Sequence, residues 1–224
     1  MSYINNWAIN AKQHFEDGDY EWVCEQIRPY KRVIEIGCGA GYSTLAFLLN
    51  DFDVFALDFS ADALSATKAL IMSNGYDIDE NHFLHLDTVH QINKVRDAVA
   101  RCDIAVLCNP GGNLEVALTN GELRLLQIGN FSDDEINHSN LNLLHKWAQI
   151  FGACGAASLA NKPIQIVDRF DSEEEAMSNL EQIAIDMELR LVNTAFRVIR
   201  GAPEGGVLIK SGYELVWGAG LYFP

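Results

Sequence analysis

Residues 33 to 44 read Val33-Ile34-Glu35-Ile36-Gly37-Cys38-Gly39-Ala40-Gly41-Tyr42-Ser43-Thr44, an apolar run followed by three alternating glycines and then a helical run from Leu45 to Leu49. Glycines let a chain turn sharply after a strand, and they let a ligand lie against backbone where a Cβ would collide. A dinucleotide loop spaces its glycines G-x-G-x-x-G to set a helix N-terminus against a pyrophosphate. Here the spacing is G-x-G-x-G. Glu35 therefore stands near the loop as a carboxylate that can face a cationic ligand or accept from an ammonium group. About 20 residues further on, Asp58 closes the run Val54-Phe55-Ala56-Leu57-Asp58-Phe59, where a carboxylate can accept both hydroxyls of a ribose. Such a residue supports a nucleoside without choosing which one, and beside Ser60 it also suits the start of a helix.

Two further strand ends carry polar residues. Phe83-Leu84-His85-Leu86 leads into Asp87 and Thr88, and Cys108 leads into Asn109-Pro110-Gly111-Gly112-Asn113. With Glu35-x-Gly37-x-Gly39-x-Gly41 and Asp58, these residues resemble the class I S-adenosylmethionine-dependent methyltransferases, and the resemblance spans most of the chain. It implies that Glu35, Gly37, Gly39 and Gly41 wrap the methionyl part of the cofactor. It further implies that Asp58 holds the ribose, that Phe59 offers the adenine an apolar face, and that Asp87 with Thr88 meets the adenine amino group. Asn109-Pro110 matches only the first half of the Asn-Pro-Pro-aromatic motif of the amino-group enzymes. Its Asn can orient a substrate nitrogen, whereas Gly111 and Gly112 cannot stack on a planar acceptor. The implied activity is O- or N-methyl transfer to a small molecule or a protein side chain. Two alternatives stay open: an NAD-dependent oxidoreductase, and a non-catalytic protein that keeps the cofactor pocket.

Methyl transfer from a sulfonium gains much of its rate from holding nucleophile and methyl carbon in line, so a base is optional. Where a proton must leave, histidine has the pKa to take it. His138 and His145 lie seven residues apart and share one helical face with Asn142. They are candidate catalytic residues together with Asn109, or else surface histidines opposite the apolar stripe of Ile136, Leu143, Trp147 and Ile150. No metal-ligand spacing is present among the other histidines, and no metal is expected.

The elements that must position these residues follow an alternating pattern. Strands are expected at Arg32–Cys38, Asp53–Asp58, His82–Thr88, Asp103–Asn109, Pro163–Phe170, Leu189–Gly201 and Gly205–Ala219. Helical runs between them predict an α/β fold: a three-layer Rossmann-like sandwich with a seven-stranded, mostly parallel sheet. The short Ala202–Gly206 turn predicts an antiparallel hairpin at the C-terminal end. Ser60 caps a helix through Ser73, and Ser172-Glu173-Glu174-Glu175 is a capping box for a helix to about residue 188. Ser132–Glu135 repeats that signal. Residues 1–30 predict two helices broken at Asp17-Gly18-Asp19, with Tyr3, Trp7, Ala11 and His14 on one stripe, in the place of a lid. Residues 111–162 are long for one crossover and are expected to hold an inserted, substrate-facing segment within a single domain spanning 1–224.

Composition narrows the partners. Lys plus Arg number 16 and Asp plus Glu 31 among 224 residues, a formal net charge of −15. That balance disfavours phosphate backbones, so no nucleic-acid partner is expected, and it leaves room for a cationic or amine-bearing acceptor. With 49% hydrophobic and 21% charged residues the chain suits a packed domain. No apolar run reaches the roughly 20 residues that span a bilayer, so no membrane partner is expected. Five scattered cysteines and no secretory leader at Met1–Trp7 lead to an expectation of a reduced, cytoplasmic setting.

Overall fold

The computed structural model describes residues 8–109, 146–199 and 215–224 with their side chains, and residues 3–7 and 138–145 by backbone alone. The strands are β1 (Arg32–Ile36), β2 (Asp53–Asp58), β3 (Phe83–His85), β4 (Ile104–Cys108), β5 (Ile164–Phe170), β6 (Arg190–Ile199) and β7 (Leu215–Phe223). The helices are α1 (Tyr3–Glu16), α2 (Asp19–Gln26), α3 (Tyr42–Leu49), α4 (Ala61–Ser73), α5 (Ile92–Val99), α6 (His138–Leu159) and α7 (Glu173–Asp186). The strands form one sheet in the order β3-β2-β1-β4-β5-β7-β6. β1 to β5 run parallel, and β7 lies antiparallel between β5 and β6. This is the Rossmann-like sandwich with an antiparallel C-terminal pair that the sequence predicts.

Alternation along the buried strands sorts side chains into two cores, because successive residues of a strand point to opposite faces. Ile34, Ile36, Leu57, Leu107 and Ile166 pack with Val95 and Val99 of α5, Ile150 and Ala153 of α6 and Leu180 of α7. Val33, Val54, Ile104, Val106 and Val167 pack on the other face with Tyr20 and Val23 of α2, Phe47 of α3 and Trp217 of β7. The caps behave as their chemistry demands. Ser60 Oγ accepts from the Ala63 N–H at 3.3 Å, Ser172 Oγ accepts from the Glu175 N–H at 3.1 Å, and Gly18 takes φ 74° between α1 and α2.

Two expectations are corrected in detail. β3 is confined to Phe83–His85: a 3₁₀ turn opened by Asp79 takes up Glu80–His82 before it, and Asp87 turns the chain after it by accepting from the Val89 and His90 N–H groups. A turn at 202–206 would set Ile199 opposite Ile209, but its partner is Leu215, and β7 runs on to Phe223 rather than ending at Ala219. The turn itself lies outside the described residues. The second half of the 111–162 segment is α6, the crossover helix between β4 and β5, with Ala153, Ala156 and Ala157 fully buried. The Ser132–Glu135 signal, Ile136 and the loop from Pro110 to Asn113 lie outside the described residues.

Candidate functional site

The glycine loop leaves the carboxyl end of β1 and is held by β2. The Gly37 N–H donates to the Leu57 carbonyl at 2.7 Å, and the Gly39 N–H donates to Asp58 Oδ2 at 3.0 Å. Gly37, Gly39 and Gly41 have φ of 81°, 54° and 85°, a region that side chains rarely adopt. Their surroundings differ. A Cβ on Gly41 would lie 2.7 Å from the Thr67 Cα, so this glycine lets α4 pack against the loop. Nothing lies within 4 Å of a Cβ built on Gly37 or Gly39, so that backbone face is open to a ligand.

Glu35 sits in the strand below, fully buried, in register with Ala56 and Val106. Thr44 of α3 donates to its Oε2, while Oε1 is buried without a hydrogen-bond partner. Burial pushes the Glu35 pKa up to about 7, against the pull of the nearby Ser43 and Thr44 hydroxyls and with a smaller push from Asp58. The carboxylate therefore lies beneath the loop, and its spare oxygen is the polar atom left unmatched there.

Asp58 is 5% exposed at the end of β2. Burial raises its pKa, while the Ser60, Gly39 and Phe59 N–H groups lower it. Oδ1 accepts from Ser60 at 2.9 Å and Oδ2 from Gly39, and each oxygen keeps a second lone pair for a hydroxyl. Across the cleft, Asp87 accepts from the Val89 N–H at 2.7 Å and pairs with the His90 ring at 2.8 Å. Its partial burial raises its pKa, but these contacts outweigh that and hold it below the usual carboxylate range. Ile36, Gly37, Asp58, Phe59, Asp87, Thr88 and Gln149 line one cleft. Glu35, Gly37, Gly39, Gly41, Asp58, Phe59, Asp87 and Thr88 are thus gathered at or beneath the carboxyl ends of β1, β2 and β3.

The cleft is narrow, with room of about 20 Å³, the space of a single water. Gln149 of α6 stands in it, a residue the sequence analysis missed. α6 approaches so closely that a Cβ on Gly152 would lie 2.6 Å from the Thr88 carbonyl oxygen. The donor set fits a nucleoside with a cationic tail: an open glycine backbone, the Asp58 carboxylate with lone pairs to spare and the Asp87 carboxylate beyond it.

Asn109 follows β4, 9% exposed, at φ 50°, its N–H donating to the Val167 carbonyl at 2.6 Å. One residue beyond Val167, buried Asp168 pairs with Lys146 of α6. Burial raises the Asp168 pKa and Lys146 pulls it down. Lys146, Asp168 and Arg169 were also missed, although Asp168 obeys the rule that singled out Asp58 and Asp87, a carboxylate at the carboxyl end of a parallel strand. His138 and His145 lie on the backbone of α6, and their side chains are outside the described residues. His14 is buried, with its Nδ1 2.9 Å from Asp19 Oδ2 and its ring centroid 4.7 Å from that of Trp217. It serves the packing of α1 on the sheet.

No protein-family model matches the chain, and no curated protein sequence matches it. Solved structures do. A candidate RNA methyltransferase from Pyrococcus horikoshii aligns with a TM-score of 0.54 at 11% identity, over 92% of this chain and 79% of that one. The methyltransferase domain of bacterial CtHen1 aligns with a TM-score of 0.51 at 12% identity, over 92% of this chain and 97% of the other. An S-adenosylmethionine-dependent methyltransferase from Agrobacterium tumefaciens gives a TM-score of 0.52 at 12% identity, over 92% of this chain and 61% of that one. The chain has the fold of the class I methyltransferases.

Proposed function

We propose that the protein is an S-adenosylmethionine-dependent methyltransferase acting on a small molecule or a protein side chain by O- or N-methyl transfer. The observation that carries this reading is the loop pinned to Asp58 through Gly39, with the backbone of Gly37 and Gly39 open beside it. When bound, the cofactor supplies an electrophilic methyl group on a sulfonium. Asp58 holds the ribose hydroxyls, Phe59 covers one face of the adenine, and Asp87 with Thr88 reads its edge. The glycine backbone and the carboxylate of Glu35 beneath it favour the cationic methionyl end. Asn109 faces the acceptor at the end of β4. His138 or His145, at the start of α6, takes a proton where the acceptor is a hydroxyl or an ammonium.

A nicotinamide-dependent dehydrogenase would carry six parallel strands in the order 3-2-1-4-5-6. The antiparallel β7 between β5 and β6 counts against that alternative. The preference for a small molecule or protein over a nucleic acid rests on the charge of −15 alone, since a candidate RNA methyltransferase shares the fold. Calorimetric titration with S-adenosylhomocysteine tests the cofactor assignment. Asp58→Asn should weaken binding by about 10- to 100-fold, as loss of a hydrogen bond to a charged group implies. No binding to the wild type, or equal binding to the variant, would refute it.

A further inference from the structure

Among the described residues, the charges along the carboxyl edge of the sheet leave Arg169 unspent. Two arginines flank Trp217 of β7 in the ladder, Arg197 on β6 and Arg169 on β5. Arg197 is satisfied, its Nε donating to Asp19 Oδ1 at 2.7 Å and its NH2 nitrogen to the Asp17 carbonyl at 3.0 Å. The half-buried guanidinium of Arg169 has no hydrogen-bond or ion-pair partner among the described residues. Asp168 beside it is taken by Lys146 on one oxygen, and by the Arg169 backbone N–H at 2.8 Å on the other. Burial accordingly pulls the Arg169 pKa below the usual value, and the charge of Asp168 restores only part of it.

Trp217 carries a second unspent donor, an Nε1–H that is buried with no acceptor. The His14 ring lies 4.7 Å and the Tyr20 ring 5.6 Å from Trp217, so aromatic walls surround this face. Val167, two residues before Arg169 on β5, pairs with Cys108 and accepts from the Asn109 N–H at 2.6 Å, so Arg169 lies just beyond the carboxyl end of β4. A guanidinium withdrawn from water without a partner is costly, and so is an orphaned indole N–H. A bound carboxylate matches the guanidinium fork and offsets that cost. With Lys146 spent on Asp168 and Arg197 on Asp19, Arg169 offers one free positive charge, which suits a monoanion better than a phosphate dianion.

We propose that Arg169 anchors a carboxylate carried by the methyl acceptor, so that the substrate class is a small carboxylic acid bound between β5, β7 and α2. This rests on the methyltransferase reading and replaces the amine-bearing acceptor that net charge alone suggests, because a local cation outweighs a screened global field at contact distance.

Calorimetry on the full chain saturated with S-adenosylhomocysteine, titrated with benzoate and with its neutral counterpart benzamide, tests the proposal. Benzoate should bind about tenfold or more tightly than benzamide. Arg169→Met should erase the difference while leaving S-adenosylhomocysteine affinity unchanged, and Arg169→Lys, which keeps the charge if the Met variant fails to fold, should retain part of it. Equal affinity for the two probes, no benzoate binding, or a preference that survives Arg169→Met would overturn it. Failure of S-adenosylhomocysteine to bind the wild type would sink the cofactor assignment instead, and the same benzoate comparison without it would still decide the anion site.

Discussion

Replacing Glu35 with Gln turns the buried carboxylate into a group that cannot ionise, and its consequences follow from its position under the glycine loop. The Glu35 pKa is about 7 in the folded protein against 4.5 for an unperturbed carboxylate, mainly because burial disfavours the charged form. Between pH 4.5 and 7 the folded state therefore holds more protons than the unfolded state, and stability falls as pH rises through that window. Below it both states are protonated and nothing is lost. Above it the folded protein carries a penalty of about 3 kcal/mol, since each pKa unit corresponds to about 1.4 kcal/mol. Urea unfolding at pH 5 and pH 8 should show wild-type stability dropping by about 2 to 3 kcal/mol more than that of Glu35→Gln over the same interval. The difference between the two proteins removes the contribution of Asp168, which burial also raises, and leaves only the small coupling between Glu35 and Asp58. If the two pH profiles run parallel to within about 0.5 kcal/mol, then Glu35 does not titrate as a buried, half-satisfied carboxylate.

Gly41→Ala should destabilise the protein by about 1 to 3 kcal/mol, through a positive φ and a Cβ driven against the Thr67 backbone; a thermal midpoint unchanged within error would show that the loop yields. Gln149→Ala should strengthen S-adenosylhomocysteine binding several-fold in calorimetry by widening the cleft between Asp58 and Thr88, and weakened binding would mean that Gln149 is a ligand contact. Ser172→Ala removes the N-cap of α7 and should cost about 1 kcal/mol, a fall of roughly 2 to 4 °C in Tm by calorimetric scanning. A fall well beyond that range would mean that Ser172 does more than cap α7.

The sheet and its caps were legible because they depend on local spacing. Val33-Ile34 and Ile164 to Val167 are short, mostly apolar runs that become strands buried on both faces, Ser60 and Ser172 each accept from a backbone N–H three residues on, and Gly18 turns the chain by its own positive φ. The carboxylate of Glu35 announced itself as a charge inside an apolar run. The register of β7 was not legible, because antiparallel pairing is set by packing across the sheet. Gly218 passes where a Cβ would come within 2.9 Å of Ala176 in α7, a contact between residues far apart in sequence.

The sequence by itself determined that a strand, a glycine turn and a helix would present backbone and carboxylates at one sheet edge, since φ preference and residue spacing are properties of a few neighbours. Only the tertiary structure decided the state of the charges. Thr44 satisfies one oxygen of Glu35, Lys146 claims Asp168, and Asp19 claims Arg197 from 178 residues away, leaving Arg169 without a partner among the described residues. Whether a buried charge is spent or available depends on what the fold brings within about 4 Å of it, and no spacing along the chain encodes that distance.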